Sequence, residues 1–155
     1  MDFSALATAL KVRADGDNAA GGIGTGASGR LITGFFTEAA PAATVMPHII
    51  LSNYGELPSP TFTGNVWTFY VRMSIYVPRS SAGISAPLSR LWAIVARVYG
   101  DFPTNSPPSY GFERWKPTLS GSTWTADTMI SEPMIDTTDQ DFYSKATQFR
   151  LVLSK

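Results

Sequence analysis

The stretch NVWTFYVRMSIYVP, residues 65–78, alternates between two kinds of side chain. Large apolar residues occupy its odd positions, which are Trp67, Phe69, Val71, Met73, Ile75 and Val77. Successive side chains of a β-strand point to opposite faces, so this period of two predicts a strand with one core-facing side. The Lys and Glu residues that a solvent-facing side favours are absent from its even positions, which are Thr68, Tyr70, Arg72, Ser74 and Tyr76.

Length and composition narrow the class of protein. A chain of 155 residues is typical of one domain. Twelve basic and 12 acidic residues cancel, so no global field attracts nucleic acid or an anionic membrane. Charged residues make up only 15%, against about 25% in average soluble domains, which suggests that part of the surface is kept against partners. There is no cysteine, and no apolar run approaches the ~20 residues of a membrane span.

The first half of the chain predicts one helix and two further strands. Asp2 is placed to cap a helix over residues 2–14, and its apolar face contains Phe3, Leu6 and Leu10. RLITGFFTE (residues 30–38) and HIILSNY (residues 48–54) read as strands separated by a proline-containing connection. PSPTFTG, residues 58–64, is predicted as a hairpin-type connection to the long alternating strand.

Residues 85–101, SAPLSRLWAIVARVYGD, predict an amphipathic helix. Ser85 can cap it, Pro87 suits its first turn and Gly100 can end it. Helical spacing predicts a buried stripe that contains Leu88, Leu91, Trp92, Val95, Val98 and Tyr99. The other face is small and basic and contains Ser89, Arg90, Ala93, Ala96 and Arg97.

The last third predicts more strands. Residues 113–130 resemble two short strands around a turn, and residues 142–153 form a final strand after an acidic turn. One side of that last strand would contain Tyr143, Thr147, Phe149, Leu151 and Leu153. The order αββ(β)αβββ with hairpin-length links predicts an α+β fold: a single domain over residues 1–155 with a mostly antiparallel or mixed sheet, an N-terminal helix and one amphipathic helix packed on one face. Within it lie a Gly-rich loop at residues 16–29 and an extended loop or hairpin region at residues 101–124.

The Gly-rich loop contains a motif that imitates a phosphate site. Gly24, Gly26 and Gly29 satisfy G-x-G-x-x-G. A dinucleotide site requires a strand before the motif and a helix after it, whereas here a polar loop precedes and strand-like residues follow. A P-loop requires Lys and a hydroxyl residue, and the chain has Arg30 and Leu31. We therefore expect a flexible loop with nothing to bury and no phosphate ligand.

Other residues with catalytic or metal-binding chemistry are sparse. His48 is the only histidine, which excludes a multi-histidine metal site and favours a structural or interface role. Asp136, Asp139 and Asp141 are spaced like part of a calcium loop, but without the Gly and Glu of an EF-hand they favour a solvated turn. The arginines are scattered among elements, which argues against a nucleic-acid-binding stripe. The sequence thus predicts no catalytic residue, no cofactor and no metal site.

The order of these segments resembles the tail-terminator, or tail-completion, family of long-tailed bacteriophages. The segments that carry the resemblance are GFFTEAAPAATVMPHIILS, WTFYVRMSIYVP, PLSRLWAIVARVYGD and DQDFYSKATQFRLVLS, at residues 34–52, 67–78, 87–101 and 139–154. The resemblance lies in the order and the residue character of these segments over most of the chain, and it includes no invariant motif. The Gly-rich segment and the region 101–124 depart from the family's pattern.

The resemblance implies an α+β subunit that forms a homohexameric ring on the head-proximal end of the tail tube. Such a ring would end tube growth, contact the tail tube protein and the head–tail connector or stopper protein, and let the genomic DNA pass through its lumen without sequence recognition. It implies a non-enzymatic component of the virion tail or neck, assembled in the host cytoplasm, with no cofactor and no membrane partner. The alternatives are another head–tail joining or tail-tube component and, with less support, a small-ligand-binding domain.

A ring would also account for the even positions of the alternating strand. Tyr and Arg are enriched at interface cores, where Lys and Glu are depleted. We therefore expect the subunit or partner interface to contain Tyr70, Arg72, Tyr76, Arg90 and Arg97. The alternative is that helices of the same chain cover the tyrosines and Arg72.

Overall fold

A computed structural model describes residues 2–61, 64–80, 84–99, 117, 119, 123–131 and 135–155. Two helices and six strands follow one another in the order α1 (Phe3–Asp15), β1 (Gly34–Thr37), β2 (His48–Thr61), β3 (Gly64–Pro78), α2 (Pro87–Tyr99), β4 (Thr125–Ser131), β5 (Ile135–Asp136) and β6 (Phe142–Ser154). No helix in this described part is long and apolar enough to cross a membrane. Most of the region 101–124 lies outside the described residues.

The strands form one mixed sheet in the order β1-β2-β3-β6-β4, and β5 pairs with β6. Strand β1 runs parallel to β2, whereas the other pairs are antiparallel. One hydrophobic core contains side chains of both helices and of the sheet. The predicted α+β fold, with an N-terminal helix and an amphipathic helix on a mixed sheet, is confirmed.

Strand β3 lies at the centre of the sheet and supplies much of its core. All the odd-numbered side chains from Phe69 to Val77 are buried, and Trp67 is partly buried against them. The predicted inward side of β6 pairs with them, since Val71 is opposite Phe149 and Phe69 is opposite Leu151. The period of two in both strands therefore identifies the core face correctly.

Helix α1 begins and packs as its sequence predicts. The Asp2 side chain accepts a hydrogen bond from the Ala5 amide at 2.8 Å, which caps the first turn. Leu6 and Leu10 are fully buried, while Phe3 is partly buried against the core.

Helix α2 is rotated about its axis relative to the predicted stripe. Leu91, Ile94 and Val98 are buried, whereas Leu88 is 49% exposed and Trp92 is 53% exposed. The predicted burial of Leu88 and Trp92 is therefore wrong, and the core residue that was not predicted is Ile94. The rotation turns Arg97 inward to an ion pair with Asp17. The pattern of apolar residues alone does not show this pairing.

Strand β2 extends through residues that the sequence predicts as a connection. Pro58 and Pro60 lie within it, beyond residues 48–51, where β1 pairs. The Leu51 carbonyl accepts from the Glu38 amide, so this position points away from β3. The N–H and C=O groups of successive residues point to alternate edges of a strand. The bulge at Asn53/Gly55 shifts this alternation by one residue. Both prolines therefore occupy outward positions, where a missing N–H costs no bond to β3.

Candidate subunit interface

Tyr70, Arg72 and Tyr76 lie on the face of β3 opposite the core, and all three are half-buried. Arg72 is placed between Ser52 of β2 and Gln148 of β6. Its guanidinium makes no hydrogen bond or ion pair with the residues that the structure describes. Both helices contribute to the core on the opposite face, so Arg72 lies on a side of the sheet that neither helix occupies.

Tyr76 belongs to a row of aromatic rings that crosses four strands. Its ring centroid lies 5.3 Å from His48 on β2 and 5.3 Å from Phe142 on β6. Phe36 on β1 contacts the other side of His48 at 5.8 Å in an edge arrangement. We call these four residues the aromatic row. Tyr76 thus has contacts within its own chain, in contrast to Arg72.

His48 is buried in the aromatic row, with only 6% of its surface exposed. Burial lowers its pKa from the ordinary value near 6.5, and the backbone of Val45 partly opposes the shift. Its Nδ1 has no hydrogen-bond partner in the described part of the chain. The neutral imidazole therefore acts here as an aromatic packing residue.

Arg97 forms an internal ion pair with Asp17. Its Nε and Nη2 donate to the two carboxylate oxygens at 3.0 and 2.5 Å, and the Asp17 side chain is only 4% exposed. The same carboxylate accepts a bond from the Ile23 amide at 3.0 Å. Arg97 thus fastens α2 to the segment after α1.

That ion pair orders the start of the Gly-rich loop. Ile23 is 1% exposed and belongs to the hydrophobic core, so the expectation that this loop has nothing to bury is wrong. Gly24 lies so close to the chain before it that an added Cβ would be 2.6 Å from the Asp15 carbonyl oxygen. Arg30 donates through Nε to the Ile23 carbonyl at 2.9 Å. The absence of a phosphate ligand here remains a prediction.

Arg90 lies beside a surface depression of about 270 Å³ at the start of α2. It is half-buried and has no side-chain partner within the described ranges. The depression has apolar walls with hydroxyl groups beside the guanidinium, and its lining includes Leu31, Ile84, Ser85, Ser89 and Ala93.

Two large apolar side chains are exposed on another side of α2, since residues two positions apart on a helix, such as Arg90 and Trp92, do not share a face. Leu88 and Trp92 are one turn apart and about half exposed, and the Lys145 ammonium of β6 lies 5.0 Å from the centre of the Trp92 ring. Tyr54 and Leu57 of β2 are also exposed, by 63% and 55%. The sequence did not predict any of these four as interface residues, because their apolar character alone suits a core equally well.

The acidic turn after β5 is held by its own hydrogen bonds. Asp136 accepts a bond from the Thr138 amide at 2.9 Å, and the Thr138 hydroxyl, together with this amide, lowers the pKa of Asp136. Asp136 also contacts the Lys145 ammonium at 3.5 Å, while Asp139 accepts from the Asp141 amide at 2.8 Å. Among the described residues, no three His, Cys, Asp or Glu side chains form a group suited to a metal ion.

The structure therefore divides the five predicted interface residues into two sets. Arg97 and Tyr76 contact their own chain. Tyr70, Arg72 and Arg90 have no ion pair within the described part of the molecule. No model of a known protein family matches the chain, and no curated protein is similar to it in sequence.

Proposed function

We propose that the chain is a structural virion protein that forms a ring at the head-proximal end of a bacteriophage tail tube. The ring ends tail growth and joins the tail to the head connector, with the genome passing through its lumen. The protein is not an enzyme and uses no cofactor. Its resemblance in segment order to tail-terminator proteins supplies this class, and an α+β fold with two helices on a mixed sheet is compatible with it.

The proposed assembly rests on the face of β3 that neither helix covers. In the middle of a sheet, a half-buried arginine without a charged partner is costly unless something pairs with it. Arg72 has such a position, between Ser52 and Gln148. Tyr70 lies beside it and offers a large, rigid contact surface. A neighbouring subunit or the tube protein that covers this face would complete the environment of Arg72.

The direct test of the ring is the native mass of the purified protein. We expect a species near six times 16.7 kDa by native mass spectrometry and sedimentation. A protein that stays monomeric at all concentrations would argue against the ring.

The test of the terminator role requires a phage that lacks the protein. Tails made without it should be overlong and should not join to heads, and plasmid-encoded protein should restore normal length. If tails of normal length form in its absence, the terminator role is wrong, whatever the native mass of the protein.

A further inference from the structure

We propose that Arg72 and Arg150 act together on the open face of the sheet and that, in the ring, they hold carboxylates of the neighbouring copy. The open face is the side of β3 and β6 opposite the core. We call these two residues the arginine pair. The inference rests on the proposed ring, adds Arg150 to its contact and assigns the chemistry of the side chains that the neighbour supplies.

The register between β3 and β6 places the two arginines side by side. Arg72 is opposite Gln148, and Tyr70 is opposite Arg150, so Arg72 and Arg150 are diagonal neighbours on adjacent strands. Such positions are about 7–8 Å apart, which is within reach of long side chains. Both arginines alternate with buried core residues of their strands, so both lie on the open face.

The arginine pair lacks a negative charge beside it. Arg72 is half-buried and Arg150 is exposed, and neither forms an ion pair with the residues that the structure describes. Adjacent like charges repel each other unless an anion offsets them. The positions around the pair in the described strands are occupied by uncharged residues, which include Ser52, Tyr70, Ser74, Ile130, Gln148 and Val152.

Aromatic and apolar groups adjoin the arginine pair and favour a protein as the partner. The Tyr70 ring lies over Gly55, where an added Cβ would be 3.9 Å from Cδ2 of the ring. Leu57, diagonal to Tyr70 on the same face, is 55% exposed. Arginine and tyrosine are enriched at protein interface cores. Two cations on a chain without net charge are too few to hold the phosphate backbone of a nucleic acid.

A second copy of the chain contains the carboxylates that the arginine pair requires. Arginine binds a carboxylate through two parallel N–H···O bonds, which makes this group its most specific partner in proteins. Basic and acidic groups at different places on one subunit suit a head-to-tail contact, the kind that closes into a ring. The exposed carboxylates without an ion pair in the described part of the chain include those of Glu38, Asp127, Asp139 and Asp141.

The first test measures ring dissociation by sedimentation and native mass spectrometry. Arg72→Gln and Arg150→Gln should each raise the dissociation constant by ~10-fold or more, because each removes hydrogen bonds to a charged group. Arg150→Lys should weaken the ring as well, since it keeps the charge but lacks the planar fork. Lys11→Gln, an exposed change on α1, is the control and should assemble as the parent does. Circular dichroism should show all the variants folded.

The second test labels carboxylates with glycinamide and a carbodiimide, followed by peptide mass spectrometry. At least one carboxylate should be protected in the parent ring and labelled in the double variant Arg72→Gln/Arg150→Gln. Asp17 is the internal reference, since its buried side chain is paired with Arg97 and should resist labelling in both. Removing the protected carboxylate should weaken the ring as much as Arg150→Gln does, and combining the two changes should add little.

The outcomes separate this contact from the proposed function. If Arg150→Gln assembles as the parent does, or if no carboxylate becomes protected, the contact is wrong while the ring itself stands. A labelled DNA oligonucleotide that binds the parent ring but not the Arg150→Gln ring would overturn the carboxylate partner in favour of nucleic acid. A parent protein that is monomeric at all concentrations overturns both the ring and the contact. Protection with non-additive variants supports the contact even if the phage experiment shows that the ring does not end the tail.

Discussion

At the scale of single residues, the fold contains a buried ion pair and a buried histidine. Asp17 and Arg97 are paired, with 4% and 13% of their side chains exposed. His48 is buried without a charged neighbour in the aromatic row. The pair satisfies both charges, whereas the isolated histidine must stay neutral.

We expect Arg97→Met to lower the free energy of unfolding by ~3–5 kcal/mol, because it leaves the Asp17 carboxylate buried and unpaired. Urea denaturation measures this loss. The double variant Asp17→Asn/Arg97→Met removes both charges and should recover part of it. If Arg97→Met is as stable as the parent, the ion pair contributes nothing to the fold.

His48 should make stability depend on pH in a defined direction. Because burial lowers its folded-state pKa, the unfolded chain binds the proton more readily, and the neutral form stabilises the fold at pH values above about 6.5. That stability is lost as the pH falls below about 6.5 through the lowered folded-state pKa. The melting temperature should therefore decrease as the pH is lowered from about 7.5 to about 5.5.

His48→Phe is the matching control, since it keeps an aromatic ring and removes the titration. The chain has no other histidine, so the variant should lose most of this dependence. Identical pH profiles for parent and variant would show that His48 is not the group responsible.

At the scale of elements, the rotation of α2 predicts which of its residues hold the fold. Ile94→Ala should cost ~2–5 kcal/mol, because the side chain is fully buried. Leu88→Ala, on the exposed side of the same helix, should change stability by ~0.5 kcal/mol or less. Chemical denaturation of the monomer compares the two. A larger loss in Leu88→Ala would mean that the stripe predicted from the sequence is the buried one.

The elements that could be predicted from sequence are those whose pattern is local. The period of two in β3 and β6 identifies the core face because each side chain's direction follows from its own strand. The orientation of α2 about its axis could not be predicted this way, since it places Arg97 against Asp17, a residue 80 positions away. For the same reason, burial of Ile23 was missed: the Asp17 carboxylate that binds its amide gives no periodic signal.

The candidate site was predictable only in part. The absence of Lys and Glu from one side of β3 identified Arg72 as a residue on an unusual surface. The contacts of Tyr76 with Phe142 and His48 depend on register between strands, which single-strand patterns do not contain. Trp92 is exposed because α2 packs against the core through Leu91, Ile94 and Val98.

At the scale of the whole molecule, reversing the charge of Arg72 tests whether this face takes part in ring assembly. Arg72→Glu should leave the monomer folded, because no buried apolar group is lost, and should prevent the ring, because a reversed charge in every contact opposes association. Circular dichroism and sedimentation separate loss of assembly from loss of folding. Lys11→Glu makes the same charge change on the exposed side of α1 and should assemble normally. Intact rings from Arg72→Glu would remove this face from the interface.

The ion pair between Asp17 and Arg97 also decides how the molecule opens locally. If either the segment after α1 or the last turn of α2 moved away alone, one charge of the Asp17–Arg97 pair would be left without its partner. The two should therefore open together as one cooperative unit. In hydrogen exchange, the amides of Ile23 and Val98 should then report the same opening free energy. Two segments that are distant in sequence would then open and close together. In a ring, each subunit would present both segments to its neighbours as a single rigid part.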